Sequence, residues 1–410
     1  MSEESPKGWA SVDINLSCDI YDSQRIPLNS QERMSRKGQY PYYGANGVQG
    51  YIDSFIFDGE YLLLAEDGGY FDEWESRPIS YLVSGRFWVN NHAHILKAKP
   101  NYSTRFLHYS LVHKNILKFI NGGTRAKLNQ SDMREIRFLA PPLPEQQKIA
   151  TILSSVDNVI EKTRAQIDKL KELKTGMMQD LLTQGIGHTE FKDSQVGRIP
   201  ASWSCCLLQD VAVIQTGIAK NGKITGNLIE VPYLRVANVQ DGYLDLREIK
   251  TISLEVSRLN RFLLRHEDVL VNEGGDIDKL GRGFIWHNQI SPCVHQNHVF
   301  VVRTEKSKLL PIFFNYLSGS EYGKKYYLGC AKQTTNLASL NSTQLKAFPV
   351  LLPPIHEQRR VCEVLQSFDK RLQNSINYLE TLQILKKSLM QDLLTGKVRV
   401  KVDSPETVAA

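Results

Sequence analysis

Two related segments organise this chain: PPLPEQQKIATILSSVDNVIEKTRAQIDKLKELKTGMMQDLLT at Pro141–Thr183, and PPIHEQRRVCEVLQSFDKRLQNSINYLETLQILKKSLMQDLLT at Pro353–Thr395. They align without a gap at an offset of 212 residues (353 − 141) and share the pieces PP, EQ and MQDLLT. One copy closes each half of the sequence. The chain therefore alternates twice between a globular region and a segment with the pattern of a long helix.

Each segment carries one apolar stripe, with steps of four and three residues and charged residues between them. This spacing is typical of a coiled-coil seam. Prolines and an early glutamate (Glu145, Glu357) suit a helix N-terminus, and the glycines at 185, 187 and 396 suit the far ends. The predicted seam residues are Ile149, Leu153, Val156, Ile160, Ile167 and Leu170 in the first helix, and Val361, Leu365, Phe368, Leu372, Leu379 and Leu382 in the second.

A helix with one apolar stripe needs a partner, and the other copy offers a matching stripe. Because the intervening globular region must bring the chain back, we expect the two helices to pack antiparallel. About 39 residues at ~1.5 Å each give a rod of roughly 58 Å. The sequence therefore predicts an α+β protein, in which two mixed α/β domains at opposite ends of an antiparallel pair are related by a pseudo-two-fold axis.

The globular regions also resemble one another, so the whole half is predicted to be duplicated. PYYGANGVQGYI is similar to VPYLRVANVQDGYLDL, with Asn46 matching Asn238. The LLLAEDGG and VNNHAHILK pieces recur as VLVNEGG and VHQNHVFVVR at an offset of 206, and KLNQSDMREI recurs as SLNSTQLKAF at 212. The matches keep one order, and their offsets grow only through small insertions.

Composition and charge set limits on the function. The chain is 41% hydrophobic and 23% charged, with no apolar run of the ~18 residues that cross a bilayer. The N-terminus lacks the pattern of a secretory signal, and six scattered cysteines suggest reduced thiols, so we expect a cytoplasmic protein. The net charge of +6 hints at a polyanionic partner, and residues 105–137 form a basic stretch against the acidic stretch 53–75.

Motifs for catalysis are missing from the sequence. GIAKNGK at Gly217–Lys223 has the spacing of a phosphate-binding loop, but Ile224 stands where magnesium binding needs Ser or Thr. His92 and His94 lie two apart without a nearby Cys or carboxylate at ligand spacing, so satisfied core or surface histidines are the favoured interpretation. We predict a protein with no catalytic residues, no metal site and no cofactor of its own.

Two diverged domains, each followed by a helix that opens with L-x-P-P-[LI]-x-E-Q, resemble the specificity subunit of type I restriction–modification systems. The resemblance covers nearly the whole chain. Its most specific elements are PPLPEQQKIATILSSVD with MQDLLTQGIGHTEFKDS, and PPIHEQRRVCEVL with MQDLLTGKVRV. His356 stands in place of Pro144, and only KGW remains of the lead-in phrase that is clear as GRIPASW before the second domain.

The resemblance implies a division into target-recognition domain 1 (1–140), a central helix (141–187), target-recognition domain 2 (188–352), a C-terminal helix (353–400) and a tail (401–410). Each domain would read one half of a split, asymmetric DNA site, and the rod would cap the spacing at about 17 base pairs of ~3.4 Å. Two methyltransferase subunits with S-adenosylmethionine would dock on the helices. Motor–nuclease subunits with ATP and magnesium would join them.

Side chains that contact DNA are expected in glycine-rich loops that carry Arg, Lys, Asn, Gln, Thr or Tyr. The candidates in the first domain are Tyr42, Tyr43, Asn46, Thr124, Arg125 and Lys127. Those in the second domain are Arg235, Asn238, Lys279, Arg282, Lys332, Gln333 and Thr334.

Two other functions are compatible with parts of the sequence. The balanced charge of the first domain would suit a coiled-coil scaffold that joins two protein-binding domains. An enzyme with an unrecognised site, such as a nuclease, would need a ligand cluster that the sequence does not supply.

Overall fold

The computed structural model describes residues 6–122, 126–219, 226–275, 279–333 and 338–402. The chain divides into two compact units: unit 1 comprises Met1–Arg164 with Asn377–Ala410, and unit 2 comprises Ala165–Ile376. The division cuts both long helices, whereas the sequence boundaries separated helices from domains. Each unit thus holds one globular domain, the first half of the helix that follows it, and the second half of the other helix.

The domain of unit 1 is built from short strands and short helices. In chain order these are β1 (Ala10–Asp13), α1 (Ile14–Ser17), β2 (Cys18–Ile20), α2 (Ser30–Ser35), β3 (Lys37–Gly44), β4 (Gly47–Ile52), β5 (Phe57–Asp58), β6 (Tyr61–Ala65), β7 (Ser80–Val83), β8 (Arg86–Val89), β9 (Ala93–Ala98), α3 (Thr104–Leu111), β10 (Ile120–Asn121), β11 (Lys127–Leu128), α4 (Gln130–Arg134) and β12 (Arg137–Ala140).

Strand β6 lies inside an antiparallel sheet of order β2-β9-β6-β7. Its residues Leu62 and Leu64 share a core with Phe106 of α3, and Leu63 packs in a second core with Phe87 of β8. Successive side chains of a strand point to opposite faces, so both faces of this sheet are buried. That burial explains why the run YLLLA is apolar throughout.

A second sheet of unit 1 has the order β4-β3-β8-β5. Strands β3 and β4 form an antiparallel hairpin, whereas β3 and β8 are parallel. The domain is closed by the antiparallel pair β1-β12, which joins the beginning of the domain to the strand just before the first long helix.

The first long helix, α5, spans Leu143–Thr183 and leads into unit 2. The domain of unit 2 then contains β13 (Phe191–Ser194), β14 (Gly197–Pro200), β15 (Ser204–Leu207), β16 (Ala212–Thr216), β17 (Leu228–Leu234), β18 (Lys250–Glu255), α6 (Val256–Phe262), β19 (Val269–Asn272), β20 (Gly274–Gly275), β21 (Gly283–Ile285), β22 (Val294–His295), β23 (Val299–Thr304), α7 (Pro311–Gly319), α8 (Glu321–Cys330), β24 (Lys332–Gln333), β25 (Ala338–Ser339), α9 (Ser342–Lys346) and β26 (Pro349–Leu352). The second long helix, α10, spans Ile355–Leu394.

The topology of unit 2 repeats that of unit 1, which confirms the predicted duplication. The sheet β16-β23-β19-β21 has the order of β2-β9-β6-β7, and the pair β15-β26 corresponds to β1-β12. Strand β17 pairs antiparallel with β18 and parallel with β22, as β3 does with β4 and β8. Helix α8 has no counterpart among the described residues of unit 1 and accounts for part of the greater length of this domain.

The two helix segments within each unit run antiparallel, as predicted. In unit 1, Lys386 Nζ lies 2.6 Å from Asp157 Oδ1, and the later Arg399 binds the earlier Glu145. In unit 2 the same relation holds between Lys174 of α5 and Asp369 of α10. No described helix combines the length and apolarity that a membrane crossing would need.

The predicted seam residues are buried or half-buried, but some of them pack in a domain core as well as against the other helix. Ile149 and Leu153 lie in the core of the unit 1 domain together with Leu393 of α10. Val361 and Leu365 lie in the core of the unit 2 domain together with Leu182 of α5. The first turns of each helix therefore complete a domain core as well as a helix pair. The remaining members are Val156, Ile160, Ile167, Leu170, Phe368, Leu372, Leu379 and Leu382.

A buried glutamine near the start of each long helix attaches it to its domain. In α5, Gln146 Nε2 donates to Pro141 O at 2.8 Å, and its Oε1 accepts from Ser103 N, the N-cap residue of α3, at 3.0 Å. In α10, Gln358 bonds Pro353 O and Leu310 N, the N-cap residue of α7, in the same way at 2.9 Å each. The repeated EQ of the sequence thus includes a structural glutamine.

The glutamate that precedes each glutamine is also buried, but its partners differ between the units. Both oxygens of Glu145 accept from the guanidinium of Arg399 at 2.7 Å. Glu357 instead pairs with His188 Nε2 at 2.7 Å and accepts from the indole N–H of Trp203 at 3.0 Å. In each unit, the segment that follows one long helix therefore binds the first turn of the other.

Candidate nucleic-acid interface

Four loops of unit 1 meet at one edge of its domain, which we call loop edge 1 (residues 44–47, 66–69, 90–92 and the β10-β11 hairpin). Asn46 Nδ2 donates to Gly68 O at 3.0 Å, and Gly68 N donates to Ala126 O of the hairpin at 3.1 Å. Glu66 N donates to His92 O at 2.9 Å. The sequence pieces that the duplication singled out are thus brought together by backbone hydrogen bonds.

Unit 2 forms an equivalent edge, loop edge 2 (residues 235–240, 272–275, 281–282, 296–298 and the β24-β25 hairpin). Glu273 N donates to His298 O at 2.9 Å, as Glu66 N does to the carbonyl of its own loop histidine. Strand β20 pairs with β25, with Gly274 opposite Ser339. A Cβ at Gly274 would lie 2.1 Å from Ala338 O, and its φ of +149° also favours glycine. Close backbone packing therefore fixes glycine here.

Each loop edge presents one histidine beside a carboxylate. His92 Nδ1 lies 3.3 Å from Asp67 Oδ2, and His298 Nδ1 lies 2.5 Å from Glu273 Oε2. Both pairs are related by the offset of 206 residues, and the histidine side chains are 32% and 51% exposed. The carboxylate lies beside Nδ1 in both pairs, and Nε2 of His298 is 3.3 Å from Nδ2 of Asn297. The sequence interpretation favoured satisfied histidines and missed this arrangement, although the shared offset was available as a signal.

Beneath loop edge 1 lies a buried charge network. His94 Nδ1 faces Asp22 Oδ2 at 2.6 Å, its Nε2 faces Leu128 O at 2.9 Å, and Arg25 pairs with both Asp22 and Glu66. Burial would raise the pKa of Asp22, but the hydrogen bonds from His94 and others hold it below its usual value.

Asp22, Glu66 and His94 bring metal-ligand atoms within 4.8 Å of one another. However, both ring nitrogens of the histidine are engaged, and the guanidinium of Arg25 already supplies the cation. We therefore assign the network a structural role, that of supporting the loops above it.

A basic cleft of about 800 Å³ opens beside the hairpin of unit 1. It is lined by Lys114 and Lys118, which precede the hairpin, by Arg134 and Arg137, which follow it, and by two carboxylates, those of Asp13 and Glu135. Burial, and to a lesser extent Lys118, lowers the pKa of Lys114. In the described part of the chain, neither lysine nor Arg137 has a carboxylate within ion-pair distance. The predicted basic stretch 105–137 thus leaves cations free for phosphate.

The predicted contacts in unit 1 fall in different places. Tyr42 is 1% exposed and its hydroxyl bonds the backbone of Leu28, so the prediction that it reaches DNA was wrong. The register shifts between Tyr42 and Tyr43, which pair with Gly50 and Val48, so Gln49 of β4 is the extra residue. Tyr43 is half-buried, whereas Asn46 and Lys127 lie at loop edge 1. Thr124 and Arg125 lie outside the described residues.

Unit 2 gives a similar mixture. Asn238 is 3% exposed and donates to Asp245 O and Glu248 O, so it holds a turn and its predicted DNA contact was wrong. Arg235 lies at loop edge 2 with its guanidinium 3.4 Å from Glu248. Arg282 donates to Gln240 Oε1 at 3.0 Å at the same edge, and Lys279 lies half-buried near it. Thr334 and the side chains of Lys332 and Gln333 lie outside the described residues.

Comparison with known families gives one family over most of the chain. The model described as type I restriction modification DNA specificity domain matches residues 6–172 and 200–381, one copy in each half. The two matches include both loop edges and most of both long helices.

Individual proteins agree with this match. The chain is 28% identical over 411 residues to the type I restriction enzyme MjaVIII specificity subunit of Methanocaldococcus jannaschii, covering 97% of this chain and 94% of that protein. Its fold is similar to the crystal structure of a type I restriction–modification S subunit from M. genitalium, with a TM-score of 0.60, 15% identity, and coverage of 96% and 97%. A chain from a structure on complex assembly of the type I R-M system superposes with a TM-score of 0.51 at 16% identity, covering 97% of this chain and all of that one.

Proposed function

The chain belongs to the type I restriction modification DNA specificity family, and we propose that its two loop edges read the two halves of a bipartite, asymmetric DNA site. The observation that carries this proposal is the presence of two complete loop edges on equivalent frameworks. The frameworks match, whereas some side chains that they present differ, such as Asn90 and Gln296 at the offset of 206 and Lys127 and Ser339 at the offset of 212. Two such surfaces suit two different base sequences.

Within each domain, we assign different tasks to the edge and to the neighbouring surface. Side chains at the loop edges, such as His92, Lys127, Arg282 and His298, would contact base edges. The free cations of the basic cleft in unit 1 would contact phosphates, which position a protein on DNA without reading its sequence. In unit 2, Lys346 of α9 occupies the place of Arg134 in α4 at the offset of 212 and would have the same task.

We assign the long helices to partner binding as well as to spacing. Leu173 of α5 and Leu385 of α10 are equivalent at the offset of 212, and they are 45% and 47% exposed. Ile384 and Tyr378 add to the exposed apolar surface of α10. Two equivalent exposed leucines would suit two copies of one partner, and we propose that this partner is a methyltransferase subunit that packs helices against them.

Catalysis would then lie in the partners. Methyltransferase subunits would supply S-adenosylmethionine chemistry, and motor–nuclease subunits would use ATP and magnesium. The complex would act in the cytoplasm, where it meets the DNA. Helix α5 has 41 residues; at 1.5 Å each this is about 62 Å, an upper bound of about 18 base pairs on the spacing of the half-sites.

The test uses the chain purified as a complex with its methyltransferase partner. Duplex DNA is selected from a random pool and sequenced, and the expected result is one two-part consensus with a fixed gap. His92→Ala should then weaken preference at positions of one half-site only, and His298→Ala at positions of the other. Each lost base contact should reduce discrimination about tenfold.

Two results would contradict the proposal. The first is a complex that enriches no sequence. The second is binding that does not weaken as salt rises, since phosphate contacts release counterions. Either result would favour a coiled-coil scaffold with two protein-binding domains, which is the alternative compatible with the balanced charge of the first domain.

A further inference from the structure

A tyrosine, an aspartate and a lysine join three helices in unit 1. The Tyr109 hydroxyl, on α3, donates to Asp157 Oδ2 of α5 at 2.7 Å. Lys386 of α10 reaches the other oxygen of the same carboxylate at 2.6 Å and lies 5.7 Å from the centre of the tyrosine ring. Burial, together with the bond to Asp157, raises the pKa of Tyr109, so the hydroxyl stays a donor.

Unit 2 contains the same triad on the equivalent elements. The Tyr316 hydroxyl, on α7, donates to Asp369 Oδ2 of α10 at 2.6 Å. Lys174 of α5 pairs with Oδ1 of this carboxylate and lies 5.8 Å from the tyrosine ring. Burial and the bond to Asp369 raise the pKa of Tyr316 as well. We call these groups triad 1 and triad 2.

The triads obey one rule of register. Asp157 and Asp369 are 212 residues apart, and so are Lys174 and Lys386. In an antiparallel pair, contacting residues have numbers with a constant sum, and this sum is 543 for both aspartate–lysine pairs (157 with 386, 174 with 369). A slip of the helices by any number of residues would break both pairs at once.

The lysines also occupy seam positions. The four-three spacing of the predicted stripe continues from Ile167 and Leu170 to Lys174 in α5, and from Leu379 and Leu382 to Lys386 in α10. A slip by one heptad would leave the apolar stripe matched elsewhere. It would, however, place each lysine against a position without its aspartate. A polar residue at a seam position is a known device for specifying register, at some cost in stability.

We propose that triads 1 and 2 select the register of the two long helices against each domain and thereby fix the length of the unread gap between the half-sites. This inference rests on the proposed DNA-reading function. The six side chains are positioning residues: they contact no DNA, and they act through the placement of the domains that do. The apolar stripe holds the helices together but is compatible with several registers. The triads favour one of these registers over the others.

The experiment compares variants of the complex with the methyltransferase partner by the same selection from random DNA. The double variant Lys174→Leu with Lys386→Leu completes the apolar stripe and removes both cations. We expect the two half-site sequences to stay the same while sequences with another gap length rise about tenfold or more among those selected. A thermal melt should show a transition at or above that of the unchanged complex.

Two matched variants separate register from folding. Lys174→Arg with Lys386→Arg retains the charge and should restore a single gap length. Asp157→Asn with Asp369→Asn retains the shape, so it tests the same idea if the leucine variant does not fold. The proposal is overturned if folded leucine or asparagine variants keep one gap length, whether or not affinity falls.

The selection also separates this inference from the one on which it rests. If the unchanged complex selects no two-part sequence, the proposed DNA-reading function is wrong. If it selects a two-part sequence and the variants do not alter the gap, only the role of the triads is wrong.

Discussion

Replacement of Gln358 by methionine should destabilise unit 2 through loss of three hydrogen bonds. The amide of this fully buried side chain accepts from Leu310 N at 2.9 Å and donates to Lys308 O and Pro353 O at 2.8 and 2.9 Å. Methionine has a similar length and no amide. One buried and two partly buried backbone groups would therefore lose their partner while the volume changes little.

The magnitude follows from the groups left unsatisfied. A buried backbone group without a partner costs about 1–3 kcal/mol, and the apolar side chain recovers part of this through its own burial. We expect a loss of about 3 kcal/mol in the free energy of unfolding of unit 2. Gln146→Met should have a comparable effect on unit 1, where the corresponding amide makes bonds of 2.8, 3.0 and 3.4 Å.

Urea unfolding of the complex, followed by hydrogen exchange of the α7 amides, measures the change and locates it. The control is Gln366→Met, at an exposed position of the same helix, which should change the free energy by less than about 0.5 kcal/mol. If Gln358→Met behaves like the control, the glutamine bonds do not hold α7 against α10. The buried glutamine of the EQ pair would then have no role in attaching each long helix to its domain.

Three further outcomes are expected. Lys118→Ala with Arg137→Ala should reduce the slope of log DNA affinity against log salt concentration by about 2, since each lost phosphate contact contributes about 0.9. An unchanged slope would show that the basic cleft does not contact DNA. Burial lowers the pKa of His295 to about 4, so between pH ~4 and ~6.5 the folded state binds fewer protons than the unfolded chain. The free energy of unfolding should therefore fall as the pH is lowered from ~6.5 to ~4, by up to about 3 kcal/mol. A pH series of urea unfolding tests this, and a flat stability curve between those values would contradict it. Gly274→Ala should destabilise unit 2 by about 1–3 kcal/mol because of the φ at this position and the clash of a Cβ with the β25 backbone. Gly319→Ala, where a Cβ would meet open space, should not destabilise it. Equal melting temperatures of the two variants would refute the packing argument.

The large-scale plan could be predicted from the sequence because it rests on long, repeated patterns. The limits of α5 and α10 follow from the paired prolines, the stripe and the glycines, and the duplication follows from matches in constant order. Such signals extend over tens of residues and survive local exceptions. The long helices and the duplication were therefore predicted correctly.

Individual side chains could not be placed because their direction depends on local backbone detail. Tyr42 points into the core, where its hydroxyl bonds the backbone of Leu28, and Asn238 stabilises a short turn through its bonds to Asp245 O and Glu248 O. Neither feature has a signature that separates it from an exposed loop residue. The sequence does contain a sign of the triads, because Lys174 and Lys386 interrupt the apolar stripe at seam positions. Their role can be recognised only when the aspartates that face them are known.

The equivalence of the two attachments makes the domains interchangeable parts. Among the hydrogen bonds that attach a domain, the domain contributes the backbone of an N-cap residue and one tyrosine on a short helix, while the glutamine, aspartate and lysine belong to the long helices. The apolar first turns of each long helix also pack in the domain core. A foreign domain would need these two features and a core that accepts the apolar first turns of the long helix. If each domain reads one half-site, as proposed, a set of n such domains would generate on the order of n² two-part specificities.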